Sequence, residues 1–168
     1  MISLQDRIRA LFDQVLYVQL SPDVLTIRDP RTKEAFSEPP ELAIRGNGKK
    51  QIIAFGRAAR GVAREPGIKV INPFTHPRTL ISDFTSADQL LKQFIRQLLG
   101  RRLFTRAPRL VLHPLGEFEG GLTQVELRAL KELGMSAGAS QINIWEGPSL
   151  TDDQLISKSF PSSGRLLE

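Results

Sequence analysis

Gln19-Leu20-Ser21-Pro22-Asp23 is the first stretch of this chain that gathers groups able to do chemistry. An amide, a hydroxyl and a carboxylate on one turn could hold a ligand. Ser-Pro-Asp also suits a tight turn that holds nothing, because proline presets its backbone angle and Asp and Ser bond to nearby backbone. The other candidates are sparser. The chain has no cysteine, so cysteine-based zinc sites and disulfides are excluded. His76 and His113 are its only histidines, too few and too isolated for a histidine-rich metal site, and they read as structural or surface residues. Thr123-Gln124-Val125-Glu126 has capping-box spacing, in which the glutamate bonds back to the start of its own helix.

A chain of 168 residues fits one domain with a real core. Apolar residues at 40% and charged residues at 24% are ordinary for a soluble globular protein. The net charge of +5 favours anionic partners only mildly, because the arginines (57, 60 and 64, then 101, 102, 106 and 109) are scattered as on solvated faces. No apolar run reaches membrane-spanning length, and the N-terminus lacks a continuous apolar signal core. The absence of cysteine is compatible with a cytoplasmic protein.

Hydrophobic periodicity places the elements. Residues 2 to 15 read as an amphipathic helix, with Leu4, Ile8, Leu11, Phe12 and Val15 on one face and Arg7 and Arg9 among the polar positions. Residues 16 to 27 read as a hairpin, Glu41 to Arg45 as a third strand and Gln51 to Ala54 as its return after the Gly46-Asn47-Gly48 turn. Gly56 to Arg64 reads as a short basic helix and Lys69 to Asn72 as a strand. Ser86 to Gln89 has capping-box spacing and opens a long helix with the stripe Leu90, Leu91, Phe94, Ile95, Leu98 and Leu99, ended by Gly100. Arg109 to His113 and Gln141 to Trp145 read as strands on either side of a helix from Thr123 to about Leu133. Residues 150 to 168 are polar, with little periodicity, and are expected to form a loose tail. Strands joined through helices run parallel. The expected architecture is α/β: an antiparallel meander continuing into a parallel sheet with flanking helices, the layout of a ribonuclease-H-like or actin-like half-molecule.

Several stretches, in order, resemble MreB, the bacterial actin-like rod-shape family, over roughly residues 14 to 148. "SEPPELAIR" is similar to its Asn-Glu-Pro-Ser strand entry, and "FGRAARGVAREPGIKVINPF" to its Gly-x-x-Ala helix and following strand. "ISDFTSADQLLKQFIRQLL" resembles its Ala-Asp-Phe-x-x-Thr helix entry. "PRLVLHPLG" with "TQVELRAL", and then "AGASQINIWEGP", resemble its Val-Pro-x-Gly strand, its Thr-x-Val-Glu-Arg-Arg helix and its Glu-Glu-Pro strand exit. The resemblance implies a first actin-like domain over residues 16 to 149, after an N-terminal helix over 1 to 15. It also implies ATP bound in a cleft against a second domain that this sequence does not include.

The same resemblance places the phosphate-holding Asp-x-Gly-Thr of the family at Gln19, Leu20, Ser21 and Pro22. A glutamine replaces a metal-sphere carboxylate poorly. Ser21 adds a Cβ where backbone would approach phosphate, Pro22 has no N–H to donate, and Asp23 repels an anion. Glu126 matches the family glutamate that positions the attacking water, while Gly147 stands where its second Glu-Glu-Pro glutamate is expected. Glu117 to Gly121 are extra residues in the loop facing the cleft, and His76-Pro77-Arg78 replaces an Asp-Gly. The expectation is a non-enzymatic domain without cofactor or metal. It would act through contact with an actin-like filament, the cell-shape machinery or itself. A peripheral membrane contact through Leu4, Ile8, Leu11 and Phe12 can accompany this role, and two alternatives stand beside it: an ATPase completed in trans, and a ribonuclease-H-like nucleic-acid binder. Gln19 in the place of the first metal carboxylate, and the shortage of aromatics, argue against the last.

Overall fold

The computed structural model describes residues 14–46, 50–76, 79–100, 107–116 and 120–167. Among the described residues, six strands form the main sheet. Strands β1 (Val15–Leu20), β7 (Arg109–Pro114) and β8 (Gln141–Glu146) run parallel at its centre. The hairpin partners β2 (Leu25–Arg28) and β3 (Ala35–Glu38) extend one side antiparallel, and β9 (Arg165–Leu167) closes the other. A second, antiparallel sheet holds β4 (Leu42–Arg45), flanked by β5 (Gln51–Phe55) and β6 (Ile68–Ile71).

β1 shows why the main sheet has helices on both faces. Alternate residues of a strand point to opposite faces. Leu16, Val18 and Leu20 enter the larger core with Leu90, Leu91 and Phe94 of α2 (Phe84–Leu99) and Leu130 and Leu133 of α3 (Gln124–Ser136). Val15 and Tyr17 enter a smaller core on the other face, with Val111, Trp145 and Leu155 of α4 (Asp152–Ser157). Strands buried on both faces read as continuous apolar runs, as Val15 to Val18 of β1 and Leu110 to Leu112 of β7 do, whereas β8 interrupts its run with Asn143.

The α/β half-molecule expected from the sequence is the fold observed, with four local differences. First, the third strand of the meander is Ala35–Glu38, while the expected strand at Glu41 to Arg45 is β4 of the second sheet. Pro39-Pro40 separates the two; lacking N–H groups, it breaks the ladder and sends the chain across. Second, α2 starts at Phe84 rather than Ser86. Asp83 is its N-cap, accepting from the Ser86 backbone N–H at 3.0 Å and the Ser86 hydroxyl at 2.8 Å. Third, the short basic segment is helical only over Arg57–Gly61 (α1). Its N-cap Gly56 has φ 63°, and a Cβ there would lie 3.0 Å from that of Glu38.

The fourth difference is a correction: residues 150 to 167 are not a loose tail. Thr151 opens α4 with a full capping box to Gln154, Leu150 and Leu155 are buried, and Arg165, Leu166 and Leu167 pair with Glu146, Trp145 and Ile144. A few well-placed apolar anchors suffice to order a polar stretch, and no periodicity announces them. The helix expected over residues 2 to 15, with Leu4, Ile8, Leu11 and Phe12, lies outside the described residues up to residue 13, and Val15 already belongs to β1. Residues 117–119 and 77–78 also lie outside them. Among the described residues, no helix is long and apolar enough to cross a membrane.

Candidate functional site

In open α/β sheets, ligand crevices lie beyond the C-terminal ends of the parallel strands. Here that edge carries two features: the β1–β2 turn and a cleft beyond β7 and β8.

The turn is closed on itself. The Ser21 backbone N–H donates to the Val24 carbonyl at 3.1 Å, and the Ser21 hydroxyl donates to the same carbonyl at 2.8 Å. That hydroxyl in turn accepts from the Val24 N–H at 3.0 Å. Pro22 contributes its carbonyl to the Asn72 side-chain amide at 2.7 Å. The Gln19 amide donates across to the Ser149 hydroxyl at 3.2 Å. The groups of Gln19, Ser21 and Pro22 named here are therefore used within the protein, and Asp23 is exposed beside them.

The cleft, about 310 Å³, is lined by His113, Pro114, Leu115, Gly116, Gly121, Glu146 and Gly147. Two of its side chains are fixed by groups from far along the chain. Glu146 accepts from the Leu122 backbone N–H at 2.7 Å through one oxygen, and from Arg165 at 2.7 and 3.2 Å through the other. His113 is buried at the end of β7. Its Nε2 lies 2.9 Å from the Gly147 carbonyl, which can only accept, so Nε2 carries the proton and Nδ1 accepts from the Tyr17 hydroxyl. That hydroxyl accepts in turn from the Leu150 N–H at 3.2 Å. Burial pushes the His113 pKa down, against a smaller upward pull from the Gly147 carbonyl, so the imidazole is neutral near pH 7.

Gly147 has a steric reason. A Cβ there would lie 2.7 Å from the Trp145 ring and 2.8 Å from Gly164 Cα. A glutamate at this position has no room while Gly164 sits where it does.

Glu126 is not among the residues lining the cleft. It completes the Thr123 capping box: one oxygen accepts from the Thr123 N–H at 2.9 Å, and the other from the Leu80 N–H at 3.3 Å. Burial pushes its carboxyl up, and the hydrogen bonds from Thr123 and Leu80 together bring it below the usual range. No group of three or more His, Asp or Glu placed to hold a metal occurs among the described residues.

The sequence signals at Gln19, Ser21 and Pro22 thus lead to a real turn at the right edge of the sheet. The sequence gives no site signal for Tyr17, His113 and Arg165, because their contacts span large separations in the chain. Thr151-Asp152-Asp153-Gln154 has the same capping-box spacing as the start of α3, and would have flagged the ordered segment that carries Arg165.

The family model of the MreB/Mbl protein matches residues 32–151. The chain belongs to the MreB/Mbl family. It is 33% identical over 148 residues to the cell shape-determining protein MreB of Haemophilus influenzae, covering 84% of this chain and 40% of that protein. It is 29% identical over 132 residues to Mbl of Bacillus subtilis, covering 78% of this chain and 38% of that protein. The chain thus spans about 40% of the length of the H. influenzae relative. Among solved structures, the fold is similar to MreB5 of Spiroplasma citri bound to ADP, with TM-score 0.62 at 21% identity, over 79% of this chain and 37% of that one. It is also similar to a non-polymerising mutant of MamK bound to AMPPNP, with TM-score 0.62 at 11% identity, over 79% of this chain and 40% of that one. Both likenesses concern the fold.

Proposed function

We propose that this MreB/Mbl-family chain is a non-catalytic partner in the actin-like cell-shape cytoskeleton, acting by protein–protein contact, with nucleotide binding lost. The observation that carries this reading is the closed β1–β2 turn. A phosphate grip needs free backbone N–H groups aimed outward. Here the Ser21 N–H and hydroxyl are spent on Val24, Pro22 has no N–H, and Asp23 adds negative charge. Two side chains on the wall of the cleft beside the turn are already bonded within the protein, Glu146 to Leu122 and Arg165 and His113 to Gly147.

The proposed partners are an actin-like filament protein of the cell-shape machinery or a second copy of this chain, in the cytoplasm. Leu4, Ile8, Leu11 and Phe12 are proposed to add a peripheral membrane contact, since an amphipathic face with cationic flanks suits an interface. Two measurements test the reading. Calorimetric titration with Mg-ATP and Mg-ADP is expected to give no saturable heat, and cosedimentation with filaments of an MreB relative is expected to carry the chain into the pellet. Saturable nucleotide binding by the chain alone sinks the claim of lost binding. Failure to cosediment with filaments, combined with one-copy mass at all concentrations, sinks the interaction role. The second reading, a nucleotide site completed in trans, is favoured by the cleft with Glu146 at its wall; it requires Mg-ATP binding that appears only when the relative is added.

A further inference from the structure

A groove of about 500 Å³ lies between β5, β3 and α2. Phe36, Ile52 and Phe55 line it from the apolar side, and the rings of Phe36 and Phe55 are anchored 5.0 and 5.7 Å from that of the buried Phe94. Arg57, Gln93 and Gln97 line it from the polar side.

The strand along this groove is open on one side. β5 is outermost in the small sheet and pairs with β4 alone, so the backbone groups on its other side have no ladder partner. Ile52 to Phe55 is apolar throughout, broken only by a register shift opposite Ala43 and Ile44. Edge strands are ordinarily guarded against pairing by charge or proline on the strand itself, and Ile52 to Phe55 carries neither.

Charge gathers on the same lobe. Residues 41–72, which build the small sheet and α1, hold seven Lys and Arg against two Asp and Glu, so the whole net charge of +5 resides there. Both acids are paired, Glu41 with Arg60 at 2.8 Å and Glu65 with Arg45 at 3.0 Å. Arg57 is 77% exposed and meets Glu38 only at 3.6 Å, while that carboxylate accepts from the Arg57 backbone N–H at 3.0 Å.

We propose that this groove takes an extended, acidic segment of a partner protein, which adds a strand to the free edge of β5. Main-chain pairing holds the segment, and its alternate apolar side chains enter the groove. Its carboxylates meet the charge of the lobe. A second copy is a poor occupant, because strand addition would bring two basic lobes together. A lipid surface is another poor fit: it takes protruding apolar side chains, and the exposed large ones among the described residues, Phe84, Val125 and Met135, lie on α2 and α3. The inference rests on the interaction reading above and gives it a surface and a partner chemistry.

The test selects a phage library of random peptides on the full-length chain and measures the peptides obtained by fluorescence anisotropy. The expected peptides alternate apolar residues with Asp or Glu, bind less tightly as salt rises, and protect the Ile52 to Phe55 amides from hydrogen exchange. Arg57→Glu is expected to weaken them about tenfold, Gln97→Glu to weaken them less, and Gln97→Lys to tighten them. Arg57 and Gln97 are exposed, so these variants keep the fold. No acidic consensus, equal affinity across the variants, or protection that spares β5 overturns the proposal. Binding of phosphatidylglycerol vesicles or an oligonucleotide with the same dependence on Arg57 and Gln97 overturns it too. Peptide binding by a chain that does not pellet with MreB filaments keeps the groove and removes the filament role. Pelleting by a chain that selects no acidic peptide removes the groove and keeps the role.

Discussion

Two polar turns sit side by side at the same edge of the main sheet and are built on opposite plans. The β1–β2 turn is local: Ser21 and Val24, three residues apart, satisfy each other. The exit of β8 is assembled from a distance. Tyr17, His113, Leu122 and Arg165 converge on residues 146 to 150 from four separate segments. The first turn is closed by one side chain, Ser21, with a single clasp from outside at Asn72. The second depends on the docking of α4 and β9 and on the ends of β1 and β7. A local device fails alone when damaged, whereas a convergent one fails together with the elements that meet there.

The widest gap between the two regions is expected at Trp145, which the convergent side buries fully. Trp145→Ala removes the ring against which Phe160 packs and is expected to cost about 3–5 kcal/mol in urea denaturation. A cost near that of a surface substitution would erase the distinction between the regions. Next comes Gly147→Glu, which forces the chain apart where a Cβ has no room, at about 1–3 kcal/mol. Hydrogen exchange should show the added loss concentrated in β8 and β9.

Tyr17→Phe follows, at about 1–3 kcal/mol, because it leaves the buried Leu150 N–H and His113 Nδ1 without a partner. Ser21→Ala should cost less, about 1 kcal/mol, since water can reach that turn. If the two variants come out in the reverse order, the local-versus-convergent reading is wrong.

The smallest expected effect is a pH dependence. Burial lowers the His113 pKa in the folded protein, so the unfolded chain binds a proton that the folded one refuses. Stability is therefore complete above about pH 6.5, the unfolded value, and declines as the pH falls below it. His113→Asn should flatten the urea midpoint between about pH 7 and pH 5. Asp83 and Glu126 act in a separate window: hydrogen bonds hold both carboxyls below their usual range, so their contribution is lost only in more acidic solution, below about pH 4.

The same contrast explains how much the sequence disclosed. The Ser21-Pro22-Asp23 turn, the Thr123 capping box and the stripe of α2 were legible because each is decided within a few residues. The position of Glu126 in a capping box was readable from spacing alone; its bond to Leu80 was not, since nothing in the sequence brings residue 80 to residue 126. β3 has little apolar signal because Ala-Phe-Ser-Glu is four residues long, lies at an edge and is half exposed. Arg165 was hidden most completely. It lies on a polar segment whose order comes from burying Leu155, Phe160 and Leu166 against strands far back in the chain.

Pro39-Pro40 has a mechanical consequence. Two consecutive prolines fix their backbone angles and form a stiff strut rather than a slack tether. The strut carries the chain from the main sheet to the small one, and the Asn72 amide, just past β6, grips the Pro22 carbonyl at 2.7 Å. The small sheet is thus held to the main one by a strut and a clasp as well as by side-chain packing such as Phe55 on Phe36, so the β1–β2 turn is a fastening point between the two sheets.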